Sequence, residues 1–104
     1  MKLESLRDQI DRLDDRIIML LDKRIQLACK TTQHKNKVHD LSREEQIFQR
    51  LKTKTRKLRL LEPEFVHKLY RMILKESRKI QSDQTEENIA QRSNPEHKGR
   101  RIST

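Results

Sequence analysis

The stretch Leu3-Glu4-Ser5-Leu6-Arg7-Asp8-Gln9-Ile10-Asp11-Arg12-Leu13 begins a periodicity that settles the architecture of this chain. Leu3, Leu6, Ile10, Leu13, Ile17, Leu20 and Leu27 recur at alternating spacings of three and four, the heptad pattern of a long helix packed along one seam against other helices. The series predicts a first helix from about Leu3 to about Lys37. Its one irregularity is Arg24, which stands where the seam requires an apolar side chain. A guanidinium turned toward a core is costly unless an anion meets it there. Offsets of four, seven and eleven fall on one side of a helix, so Ala28, Thr31 and Lys35 continue the face of Arg24. The first helix is therefore expected to point two cations, Arg24 and Lys35, into a strip otherwise lined by small residues, with the rest of the chain enclosing an anion.

Composition narrows the fold. With 104 residues, 32% hydrophobic and 39% charged, the chain forms one domain at most and has few side chains for a private core. So periodic yet so apolar-poor a chain is expected to complete its core with a second copy of itself. One Gly, two Pro and few β-branched residues argue against a sheet and for an all-α fold. The net charge of +9 suits an anionic partner, whether nucleic acid, a membrane surface or a small polyanion. No apolar run is long enough for a membrane span or signal peptide, so the expected compartment is the cytoplasm. The single cysteine, Cys29, cannot form an internal disulfide. It reads as a small half-buried helix residue rather than a catalytic thiol, because no neighbour completes a nucleophile dyad with it.

Beyond the first helix, Ser42-Arg43-Glu44-Glu45 reads as a capping box that opens a second helix running to about Leu60. Ile47, Phe48, Leu51 and Leu58 form its apolar side, and Arg50, Lys52, Lys54, Arg56, Lys57 and Arg59 a basic, solvated one. Leu61-Glu62-Pro63 breaks the chain and restarts it, Pro63 suiting the first turn of a third helix. That helix carries Val66, Tyr70, Ile73, Ser77 and Ile80 on one stripe, with Gln81 beside Ser77, and is expected to end near Asp83. Three helices per chain result, over a domain of residues 1–83. Residues 84–104 have almost no apolar side chains and read as a polar, flexible tail.

The inward or helix-end polar residues are Arg24, Lys35, Asp40, Arg43, Glu44, Ser77 and Gln81. They include no metal-ligand spacing, no Gly-rich phosphate loop and no nucleophile with a base, so neither metal nor cofactor is expected. A cation-rich set with hydrogen-bonding partners suits a small dianion and the stabilisation of charge on it. Spacing alone leaves other roles open. Arg24 is evenly divided between a ligand contact and an ion pair in a dimer interface, Lys35 suits a solvated helix end, Asp40 a helix-start acid, Arg43 and Glu44 first-turn charges, and Ser77 and Gln81 a bond between helices. The histidines His34, His39, His67 and His97 share no pattern. Arg7 lies seventeen residues before Arg24, about 25 Å along a straight helix. It can join the same site only from another copy of the chain, as in an antiparallel pair of first helices.

Taken together these residues resemble the all-α chorismate mutases over the span from about Leu3 to Gln81. The resemblance is carried by Leu6-Arg7-Asp8-Gln9-Ile10-Asp11-Arg12-Leu13-Asp14, by Asp22-Lys23-Arg24-Ile25-Gln26-Leu27-Ala28, by Lys35, by Asp40-Leu41-Ser42-Arg43-Glu44, and by Glu76-Ser77 with Gln81. It implies an intertwined homodimer with two sites, each built mainly from one chain with Arg7 supplied by the other. It implies an isomerase: the Claisen rearrangement of chorismate to prephenate, leading into phenylalanine and tyrosine synthesis, without cofactor or covalent intermediate. Arg7 and Arg24 would clamp the two carboxylates, and Lys35 and Gln81 would donate to the ether oxygen. Glu44 would take the ring hydroxyl with backbone near Asp40, while Arg43 and Ser77 complete the carboxylate shell and Asp40 orients its neighbours. This sequence departs from the better-known members in a shorter connection between Lys35 and Asp40, a link into the third helix one residue longer, and the basic tail, which reads either as disorder or as a docking segment for a partner enzyme of the aromatic pathway.

Competing readings remain. An isochorismate-pyruvate lyase shares the fold and cationic site but carries an apolar residue where Glu44 stands, and a mutase of the amino analogue would contact the hydroxyl position differently. A basic helical nucleic-acid-binding protein fits the charge, but three aromatics and no helix-turn-helix or zinc signature weigh against it. A purely structural helical dimer leaves Arg24 unexplained.

Overall fold

A computed structural model describes residues 2–34 and 39–91, the side chains of 85–91 excepted. Three helices follow in order, α1 (Leu3–Thr31), α2 (Leu41–Thr55) and α3 (Pro63–Gln91), with no strand among the described residues. The fold is all-α, as the periodicity predicts. The helix pairs in contact are α1 with α3 and α2 with α3, so α3 is the element on which the other two rest.

Each helix ends where local chemistry ends it, and here the structure departs from the expected boundaries. α1 stops at Thr31 instead of near Lys37. The Thr31 hydroxyl donates to the Ala28 carbonyl and the Thr32 hydroxyl to the Cys29 carbonyl, both at 2.6 Å. The amides of Thr32, Gln33 and His34 then bond three residues back, tightening the last turn until it leaves the helical path. Lys35, expected on the face of Arg24, lies outside the described residues.

α2 is capped by Asp40, not by the expected Ser42–Glu45 box: the Asp40 carboxylate accepts from the Arg43 amide at 3.0 Å, which places Ser42 inside the first turn. It ends at Thr55, short of the expected Leu60; the Thr55 hydroxyl donates back to the Leu51 carbonyl, and Leu58 beyond it is exposed instead of completing the apolar side. Pro63 begins α3 as expected. α3 continues to Gln91, past the expected end near Asp83, because Thr85 to Gln91 contains neither Gly nor Pro to stop it. The first part of the polar tail is thus helical, and residues 92–104 lie outside the described residues.

The core is small. Ile47 of α2 and Val66 and Leu74 of α3 are its buried apolar residues, joined by the buried polar side chains of Thr55, Ser77 and Gln81. α1 buries none of its residues within one chain. Its seam series Leu3, Leu6, Ile10, Leu13, Ile17, Leu20 and Leu27 is exposed throughout, a contiguous apolar face of the kind that monomeric proteins seldom leave to water. No described helix is long and apolar enough to cross a membrane.

Candidate active site

A cavity of about 630 Å³ opens between the C-terminal half of α1, the start of α2 and the middle of α3. That volume is in the range of small-molecule sites. From α1 come Arg24, Leu27, Ala28 and Thr31, which share one face by their three- and four-residue spacing. From α2 come Ser42, Arg43, Glu44, Gln46, Ile47 and Arg50, preceded by Asp40. From α3 come Leu74, Ser77, Arg78 and Gln81. Six of the expected site residues, Arg24, Asp40, Arg43, Glu44, Ser77 and Gln81, therefore meet around one space.

Arg7 does not. It sits in the opening turns of α1, outside this cavity, about 25 Å of helix away from Arg24. Of Lys35 nothing further is described.

The cap places the α2 contribution. Because Asp40 holds the Arg43 amide, the helix starts with Arg43 and Glu44 in its first turn, both facing the cavity. The Arg43 guanidinium reaches Gln46 Oε1 at 3.5 Å, a long and weak contact that leaves its charge uncompensated. Arg24 is half-buried, and its guanidinium lies 5.6 Å from the centroid of the Tyr70 ring on α3. That cation–π contact fixes the cation's position without neutralising it. On α3, Ser77 is 2% and Gln81 5% exposed. One turn apart, they bond to each other, Gln81 Nε2 donating to Ser77 Oγ at 2.9 Å. Both side chains line the cavity.

Charge is unevenly matched. Glu44 pairs with Arg78, Oε2 to Nη1 at 2.5 Å. Arg24, Arg43 and Arg50 have no ion-pair partner among the described residues. With Asp40 as the other carboxylate at the rim, four guanidinium groups face two carboxylates. The cavity so carries an excess of two positive charges, the complement of a dianion.

Two of these cations were not among the expected site residues. Arg50 is seven residues after Arg43 and thus on its face, a signal present in the sequence but read as part of a solvated basic surface. Arg78 follows Ser77 directly and has no motif of its own, and its partner Glu44 is 34 residues away. Cys29 is next to Ala28 yet lines no part of the cavity, and burial pushes its thiol up, the opposite of what a nucleophile needs. Among the described residues no three His, Cys, Asp or Glu side chains cluster as a metal site requires.

The family model for chorismate mutase type II matches residues 6–82. The chain belongs to the chorismate mutase type II family. The match takes in all but the first residues of α1, the whole of α2 and α3 as far as Ser82, and so contains every one of the eight expected site residues. Searches of curated proteins and of solved structures found no match. Within this chorismate mutase domain the cavity is the place where the three helices bring their polar residues together.

Proposed function

We propose that this protein is a chorismate mutase, converting chorismate to prephenate on the route to phenylalanine and tyrosine. One observation carries the reading: Arg24, Arg43, Ser77 and Gln81 surround a single cavity in which three guanidinium groups lack a carboxylate partner among the described residues. Family membership supports it at the coarser level of the domain.

The rearrangement is unimolecular. It asks the protein to hold a flexible dianion in its compact reactive conformer and to stabilise the charge that develops as the ether C–O bond breaks. Guanidinium forks suit the first task, since they grip carboxylates bidentately. Arg24 and Arg43 supply two from one chain. The remaining clamp is Arg7 from a second copy, in a homodimer formed along the exposed seam of α1. Gln81 and Lys35 donate to the ether oxygen. Ser77 fixes Gln81 and completes the carboxylate shell, Glu44 accepts from the ring hydroxyl, and Asp40 holds Arg43 and Glu44 in place by capping their helix. No nucleophile is needed, which agrees with a thiol held in its neutral form. The reaction belongs in the cytoplasm, where the pathway runs.

The test is a paired assay of the purified chain with chorismate and with isochorismate, product identified in each case. Prephenate from chorismate alone is expected. Pyruvate and salicylate from isochorismate would move the chain to the lyase activity of the same fold, and conversion of neither would refute the reading.

A further inference from the structure

The proposed role of Glu44 meets a difficulty in the structure, since its carboxylate is already engaged. Oε2 accepts from Arg78 Nη1, while Oε1 is 3.6 Å from His39 Nε2, beyond hydrogen-bond distance. The Glu44 and Arg78 side chains are 17% and 28% exposed, so the pair is held largely out of water at the edge of the cavity. It ties the first turn of α2 to α3, one residue beyond Ser77 and three before Gln81.

Without Arg78, this carboxylate would have other partners to choose from. Arg24, Arg43 and Arg50 line the same cavity and have no ion-pair partner among the described residues. A glutamate with three rotatable side-chain bonds in a cationic cavity pairs with whichever guanidinium it reaches. It would then occupy a cation the substrate needs and turn its second oxygen away. We infer that Arg78 is a positioning residue, holding Glu44 by one oxygen so that Oε1 is presented to a substrate ring hydroxyl and the other guanidinium groups stay open to the substrate carboxylates. The inference rests on the mutase reading above and adds to it the residue that selects for a hydroxylated ring.

The experiment compares Arg78→Met, Arg78→Lys, Glu44→Gln and the Arg78→Met/Glu44→Gln double variant by steady-state kinetics on chorismate. Arg78→Met should raise KM about tenfold with kcat within about threefold of the parent, the signature of lost ground-state and transition-state binding alike. Arg78→Lys, which keeps one charged donor, should recover most of that loss. In the Glu44→Gln background, removal of Arg78 should change KM less than twofold, because the carboxylate it positions is gone. An equal KM effect in both backgrounds, or none in either, overturns the inference. Should Arg78→Met not fold, Arg78→Gln against Arg78→Lys gives the same comparison at nearly unchanged size. The pairing is also read without turnover, as hindered rotation of the Arg78 guanidinium in ¹⁵N NMR spectra that is lost in Glu44→Gln. A freely rotating Arg78 in the parent overturns the inference, whereas a parent that does not convert chorismate while Arg78 is hindered refutes the mutase reading alone.

Discussion

Replacing Ile17 by aspartate tests the proposed homodimer at the middle of its seam. Within one chain Ile17 is 53% exposed. Full burial of such a side chain stabilises by about 1.5–3 kcal/mol, so covering the remaining half contributes about 0.8–1.5 kcal/mol. The substitution occurs once in each protomer, which doubles the loss to about 1.5–3 kcal/mol per dimer. It also places two carboxylates in an apolar seam, where the effective cost is several kcal/mol per ion. A total beyond about 5 kcal/mol weakens association by more than three orders of magnitude, at 1.4 kcal/mol per factor of ten. Sedimentation equilibrium at micromolar concentration should therefore find Ile17→Asp monomeric and the parent dimeric. Turnover should fall with the dimer, since Arg7 no longer reaches a site. Met19→Asp is the control: two residues on, it lies about 200° around the helix from Ile17, and the same charge there should change association by less than about threefold. A parent chain that is monomeric with a cooperative melt, or an Ile17→Asp chain that associates as the parent does, would refute the reasoning.

Other expectations concern single residues. Gln81→Ala removes a buried amide that lines the cavity and should lower kcat by about 10²–10³; a loss under tenfold would exclude Gln81 from charge stabilisation. Asp40→Ala should destabilise by about 0.5–2 kcal/mol in denaturant melts through loss of the α2 cap, whereas Asp40→Asn keeps it; equal stability of the two would contradict the cap. Burial pushes the Cys29 thiol above its ordinary range, so at pH 8 iodoacetamide should modify it more slowly in the folded protein than in denaturant. The same shift favours the neutral thiol in the folded state. Its contribution to stability therefore holds below the ordinary thiol value and is lost as pH rises through the raised one, a loss that is seen only in alkaline melts. Equal alkylation rates in the two states would show the thiol to be open.

The seam of α1 was legible in the sequence because helical periodicity reports it directly, whereas spacing left the roles of the six polar residues open and only the family resemblance put them in one site. Helix ends were less legible. The heptad series says where apolar residues belong but not where Thr31 and Thr32 turn their hydroxyls onto the backbone, and that local competition cut α1 short. The start of α2 offered two acceptors two residues apart, Asp40 and Ser42. The aspartate holds the amide, so the helix begins earlier than the Ser42–Glu45 pattern suggests. Arg78 was hidden for a different reason: its meaning depends on a contact with Glu44 across two helices, and no spacing within α3 announces it. Leu74 is a milder case, buried beside Ile73 on a stripe whose width a one-residue periodicity underestimates.

The distance between Arg7 and the cavity on one α1 has a consequence for populations of mixed subunits. In the proposed pairing, Arg7 serves one site and Arg24 of the same chain serves the other. A chain altered at Arg7 and a chain altered at Arg24 are each inactive as homodimers. Joined, they form one site that carries both defects and one that carries neither. Random reassortment of equal amounts then restores about a quarter of all sites, a fraction set by the two-fold symmetry alone. Two separately inactive alleles in one cell would for the same reason complement each other, while either allele beside the parent gene would poison half the sites of every mixed dimer.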